Sequence, residues 1–280
     1  MSTLTRSFAR LVVLYGGALL VTFWVLAPFV WMAFTSIEPE RNITSRPLAL
    51  TLAGVSLEKY ETLLADESFS HALRNSLVVS LGTTVLCVLL AAVAAYPLAR
   101  LRLRFGWLVL LGLIASRMVP AIVLIVPLFL VVRQLGLIDT LLALVLVYTA
   151  FLLPFAIWML RTFFLEIPQA VEAAARLDGC TRIGALFRIV LPLSLPGVAA
   201  TATFVFVSSW NEYMFPLVLT TADAKVLTVR IAELTSGNQG FFDFGQLMAG
   251  GVITVLPALV LVLFMNRQIV KGLIEGATKA

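Results

Sequence analysis

Charge is scarce in this sequence. Only 12% of its 280 residues are charged, about half of the roughly 25% usual in soluble domains. Hydrophobic residues make up 61%, and the mean hydropathy is +1.03. A soluble globular enzyme is thereby excluded. The chain has one histidine, His71, and two cysteines, Cys87 and Cys180, too few and too far apart for a metal site or a disulfide framework. There is no Gly-x-x-x-x-Gly-Lys-Ser/Thr, no Gly-x-Ser-x-Gly and no His-Glu-x-x-His, hence no P-loop, nucleophile elbow or zinc-protease helix. The chain is expected to be non-catalytic and to hold no cofactor or metal. Roughly ten-residue alternating segments of a barrel, repeats and low-complexity tracts are also missing.

What is present is a set of long uncharged runs. Leu11–Ile37, Asn75–Ala99, Phe105–Val132 (interrupted only by Arg117), Thr140–Leu160, Ile189–Ala222 (interrupted only by Glu212) and Phe244–Asn266 each exceed 20 residues. About 20 apolar residues cross a bilayer core, so the runs predict an all-α integral membrane protein with six transmembrane helices. The first run is too long for a cleaved signal's apolar region and is expected to be a retained anchor.

Basic residues orient the chain. With the N-terminus inside, 12 of the 20 Lys and Arg residues fall on inner segments, among them Arg100, Arg102 and Arg104, and 7 on outer ones. By the positive-inside rule both termini are cytoplasmic. The expected layout is a cytoplasmic N-terminus over 1–10, a six-helix domain over 11–268 and a cytoplasmic tail over 269–280. The net charge of +5 is a topology signal and gives no reason to invoke nucleic acid.

The inner loop at about 161–192 is the most informative segment. Pro168 suits the first turn of a helix, Gln169 to Leu177 are good helix formers, and Gly179 is a C′ stop. Thr181 can cap a second short helix that ends before Pro192. Small Ala173, Ala174 and Ala175 allow close approach of another surface, and Glu172, Arg176 and Asp178 can pair across it. The alternative is a solvated loop with an amphipathic helix on the bilayer.

This segment resembles the cytoplasmic EAA loop of ABC importer permeases: EAA, three residues, Gly, nine residues, Ile-x-Leu-Pro. Gly179, Ile189, Leu191 and Pro192 keep that spacing. The family's usual Glu falls on Ala173, with Glu172 one position earlier. Leu73-Arg-Asn-Ser76, Arg117-Met-Val-Pro120, Pro127-Leu-Phe, Leu135-Gly-Leu-Ile-Asp139, Trp210-Asn-Glu-Tyr213 and the tail Gly272-Leu-Ile-Glu-Gly-Ala-Thr-Lys279 resemble the MalG-like carbohydrate-uptake branch. The resemblance implies a type I ABC importer permease fold in a bacterial-type inner membrane. It also implies a second permease subunit as heterodimer partner, two ATPase subunits that bind ATP and Mg, and an extracytoplasmic solute-binding protein. The solute class it implies is an oligosaccharide, disaccharide or polyol phosphate. Glu172, Ala173, Ala174, Ala175, Asp178, Gly179, Ile189, Leu191 and Pro192 would then form the ATPase-coupling element. Glu172 either bonds the ATPase from its own direction or is merely solvated.

Arg117 and Glu212 are the charges within the predicted spans. A central Arg or Asp costs about 2.5–3.5 kcal/mol on translocon scales, so both should face the bundle interior. With Trp210 and Asn211 they either line a solute path or lock helices together. Trp210 and Tyr213 also suit an aromatic belt. The rival functions are a permease for a non-sugar solute, such as a polyamine, and an ion-coupled secondary transporter. The latter would call for more intramembrane acids and paired broken helices.

Overall fold

The computed structural model describes residues 2–43, 54–101, 103–235 and 243–277, with backbone alone described for 2–10, 12 and 266–277. Arg46, Pro47, Arg102, residues 237–240 and the last three residues lie outside the described residues, as do the side chains of the tail.

In chain order the helices are α1 (Ser2–Ile37), α2 (Glu40–Ile43), α3 (Glu58–Ala65), α4 (Glu67–Arg100), α5 (Gly106–Ser116), α6 (Ala121–Gln134), α7 (Leu141–Glu166), α8 (Gln169–Leu177), α9 (Arg182–Ala185), α10 (Leu191–Leu193), α11 (Leu195–Trp210), α12 (Met214–Leu219), α13 (Leu227–Thr235) and α14 (Phe244–Ala277). A π-helical turn, Leu186–Val190, joins α9 to α10. No strand occurs among the described residues.

Among the described residues four helices are long and apolar enough to cross a membrane: Val13–Ile37, Glu67–Arg100, Leu141–Glu166 and Phe244–Met265. The third and fifth uncharged runs qualify only as bent pairs. Gly106–Ser116 meets Ala121–Gln134 at 95°, and Arg182–Leu193 meets Leu195–Trp210 at 83°. The first bend follows from Pro120, which keeps the preceding Val119 out of the helical region. The second falls at Ser194, with Pro196 in the first turn of α11, where a missing N–H costs nothing.

The fifth run is also not one helix to its end. It stops at Trp210, and the chain restarts as α12, whose Met214 and Phe215 N–H groups donate to Glu212 Oε1 at 2.9 and 3.3 Å. The second loop helix does not stop before Pro192 either. Proline has no N–H to give, and the ladder widens to the π register just before it, with Leu191 N–H donating to Leu186 O.

The chain divides into two compact units. One comprises residues 1–67 and 231–256. Within it Thr35, Ser36 and Glu38 are fully buried, Ser36 Oγ bonds Tyr60 OH at 2.6 Å, and Glu40 accepts from Phe244 and Gly245 N–H. The α1 residues Leu19, Phe23 and Trp24 are exposed.

The other unit, 68–230 and 257–280, has two apolar cores. In one, Ala91, Ala92, Ala95 and Ala99 of α4 pack with Ala156, Leu160 and Phe164 of α7 and with Leu186, Val190 and Val205. Small residues let apolar helices approach closely where no hydrophobic force drives them together. In the other, Val79, Leu144 and Tyr148 pack with Phe215 and Leu219 of α12 and Val226 and Val229 near α13.

Candidate functional site

The expected two-helix loop is present. α8 ends at Leu177 with Asp178 as its C-cap, and Gly179 adopts φ +90°, a conformation natural only to a residue without Cβ. Cys180 N–H then returns to Ala175 O at 3.0 Å. Thr181 caps α9, its side chain accepting from Gly184 N–H at 3.1 Å. Ala173, Ala174 and Asp178 are exposed and Ala175 is buried. Ile189 and Leu191 are half-buried, while Pro192 is exposed. At the corner between the helices Leu177 is 89% and Ile183 70% exposed.

Glu172 is not the merely solvated residue that one of the two expectations made it. It is 8% exposed, and its Oε2 lies 2.9 Å from Arg100 Nε in an ion pair with the end of α4. The Tyr96 hydroxyl donates to its other oxygen. Arg100 also donates to Ile167 O at 3.1 Å, and Arg161 to Leu98 O at 3.0 Å. α8 is thus fastened to the last turns of α4 and α7. Arg100 and Tyr96 were missed as site residues because the basic cluster reads from sequence as a topology signal alone.

Arg117 and Glu212 are brought to one cavity of about 140 Å³. Arg117 lies at the α5–α6 bend, and its Nη1 donates to Phe151 O at 2.8 Å. Its guanidinium stands 5.2 Å from the Phe151 ring centroid. Glu212 lies at the break between α11 and α12. Tyr148 and Phe151 of α7, Ser208 of α11 and Phe215 of α12 complete the lining with Leu152 and Ser209. Trp210 and Asn211 do not line it. Trp210 is 2% exposed and stacks on Phe206 at 5.8 Å, so it is neither a belt residue nor a cavity wall. Asn211 donates to Val207 O at 2.8 Å and is exposed. Tyr148 could have been picked out, with the adjacent Thr149, as one of two hydroxyls in an otherwise apolar stretch.

Beside the cavity, the segment after α12 is held from two sides. Asp139, in the left-handed region at φ +57°, accepts five hydrogen bonds, from Thr221 N–H and hydroxyl and from the N–H groups of Ala222, Asp223 and Ala224. Burial works to raise its pKa, but these donors prevail and hold the carboxyl well below the usual carboxylate range. From α4, Asn75 donates to Asp223 O and Lys225 O at 2.8 and 2.9 Å, and Ser76 Oγ accepts from Leu227 N–H at 2.7 Å. No group of metal-ligating side chains occurs among the described residues.

Known proteins resemble this arrangement along nearly its whole length. The family model for the binding-protein-dependent transport system inner membrane component matches residues 87–275. The trehalose transport system permease protein SugB of Mycobacterium tuberculosis is 37% identical, over 93% of this chain and 94% of its own. The sulfoquinovosyl glycerol transport system permease protein SmoH of Agrobacterium fabrum is 37% identical, over 91% and 89%. The trehalose/maltose transport system permease protein MalG of Thermococcus litoralis is 34% identical, over 96% of each chain. A crystal structure of a bacterial ABC transporter that imports the acidic polysaccharide alginate shares the fold, with a TM-score of 0.79 and 21% identity over 95% of this chain and 98% of that one. The chain belongs to the family of binding-protein-dependent transport system inner membrane components.

Proposed function

We propose that this protein is the permease subunit of an ATP-driven sugar importer and forms half of its translocation pathway. The carrying observation is the two-helix loop, with a left-handed Gly179 at its corner and an apolar tip, Leu177 and Ile183, left exposed. Exposed apolar patches of this kind mark interaction sites. The partner that fits is an ATPase subunit, since the sequence carries no nucleotide-binding motif of its own. Two such subunits bind ATP and Mg, a second permease completes the pathway, and an extracytoplasmic binding protein delivers the solute. Six crossings, counting each bent pair as one, leave both termini in the cytoplasm and put the loop on the ATPase side of the inner membrane. The basic bias of the inner segments supports that orientation.

In this reading ATP-driven closure of the ATPase pair pushes on α8 and α9. The Arg100–Glu172 pair passes the displacement to α4, so the two access states differ in contacts that ATP binding changes. The solute class rests on the relatives, named for trehalose, maltose and sulfoquinovosyl glycerol. Arg117 and Glu212 belong to the path, and Trp210 and Asn211 lie outside the cavity that those two line. Family membership sets aside the ion-coupled alternative.

The test is reconstitution of the chain with its neighbouring-gene permease, ATPase and binding protein in proteoliposomes. Uptake of a neutral sugar that needs both ATP and the binding protein is the expected result. Uptake driven by an ion gradient without ATP would overturn the reading.

A further inference from the structure

The Tyr148 hydroxyl is the observation that points further. The residue is 2% exposed, its oxygen has no hydrogen-bond partner among the described residues, and it lines the cavity that holds Arg117 and Glu212. A buried hydroxyl without a partner costs stability that phenylalanine would not. A group entering the cavity would supply the missing bond.

The other walls say what that group is. Glu212 uses Oε1 to cap α12, and among the described residues nothing bonds its Oε2. Arg117 is held by Phe151 O and by the Phe151 ring, and forms no ion pair with Glu212 among the described residues. A fixed donor and a fixed acceptor of opposite charge therefore face one space without neutralising each other. Phe151 and Phe215 stand edge to face, with ring centroids 5.3 Å apart, and give the same space an apolar wall. Hydroxyls around a rim with an apolar face describe a sugar ring. An anionic ligand would meet Glu212 and a cationic one Arg117. The volume of about 140 Å³ is well below the roughly 300–1,000 Å³ of drug-sized ligand sites, so the cavity takes one ring at a time.

We propose that this cavity is a binding station for a single neutral pyranose ring, held by Glu212 as acceptor, Arg117 as donor and Tyr148 as either. The pathway then has a solute site within this chain itself and not only in a partner. The inference rests on the sugar-permease reading, and the experiment separates the two.

The transporter in lipid nanodiscs, without binding protein, is probed by saturation-transfer NMR with methyl glucoside, methyl galactoside, methyl mannoside and glucuronate. At least one neutral glycoside should show transfer to its ring protons, and glucuronate should show at least five-fold less. Tyr148→Phe and Glu212→Gln should each reduce the glycoside signal at least five-fold. Tyr148→Phe removes a hydroxyl that has no partner among the described residues and Glu212→Gln keeps the Oε1 cap, so both should purify as intact complexes with an unfolding midpoint close to that of the parent. No glycoside signal, or one that survives both variants and so belongs to the partner permease, overturns the station. If the same complex still imports a neutral sugar, the permease reading stands. If it imports none, both fall.

Discussion

Arg100 Nε lies 2.9 Å from Glu172 Oε2, and the pair joins the last residue of α4 to the first turn of α8. Both side chains are almost wholly withdrawn from solvent. Breaking a buried pair by removing one partner typically costs about 3–5 kcal/mol, because the remaining charge is left uncompensated.

Arg100→Ala should accordingly lower the unfolding midpoint of the purified transporter. The double variant Arg100→Met with Glu172→Gln should recover most of that stability, since neither charge remains. It should not recover solute-stimulated ATP hydrolysis, because the link between the loop and α4 is gone. Equal recovery of both would show that the pair is structural only.

The Asp139 clamp gives a prediction with a pH sign. Its carboxyl is held below the usual range in the folded protein, against about 3.9 for an unperturbed Asp. Its contribution is therefore complete above about pH 4 and is lost as the pH falls toward the folded value. Asp139→Asn keeps a residue that tolerates the left-handed backbone but sets an NH₂ group against N–H donors. A loss of about 2 kcal/mol is expected, on the scale of one hydrogen bond to a charged group, and the difference from wild type should shrink on acidification below pH 4. Chemical denaturation at two pH values measures both.

Gly179 is constrained by backbone alone. A Cβ there would meet nothing within 4 Å, yet φ is +90°. The left-handed conformation costs an L-residue roughly 1–2 kcal/mol, more for a β-branched one. Gly179→Val should therefore speed amide exchange over residues 177–182 and reduce coupled transport, with Gly179→Asn milder on both measures. The same effect from Val and Asn would point to size and away from backbone strain.

Gly197 is constrained by space. A Cβ on this buried residue of α11 would overlap the Phe163 ring of α7. Gly197→Ala should cost about 1–3 kcal/mol, as overpacking does, and Phe163→Leu in the same chain should restore part of it. Thermal unfolding of the single and double variants reads this out.

Much of this architecture was legible because it rests on local rules. Six uncharged runs mark the apolar helices, and Gly179 and Thr181 mark the end and start of the loop helices that the backbone adopts. Asn75, Ser76 and Asp139 sat in motifs that resemble the family, and their bonds to the 221–227 segment give those motifs a physical reason. What was not legible needed distance in sequence to become distance in space. Glu172 reads as a surface acid until Arg100, 72 positions earlier, is brought against it. The bend at Pro120 and the restart at Met214 were hidden because hydropathy does not distinguish a straight span from a broken one. Tyr148 entered the site only when α7 placed it opposite Glu212.

Docking of the loop corner on an ATPase subunit is the central claim, and photo-cross-linking in the assembled transporter tests it most directly. Benzoylphenylalanine placed at Leu177, the most exposed of the loop's apolar residues, should yield an adduct with the ATPase subunit. The same probe at His71, exposed near the start of α4, should yield none with it. An adduct of the Leu177 probe with the binding protein or with lipid, and none with the ATPase, would contradict the account.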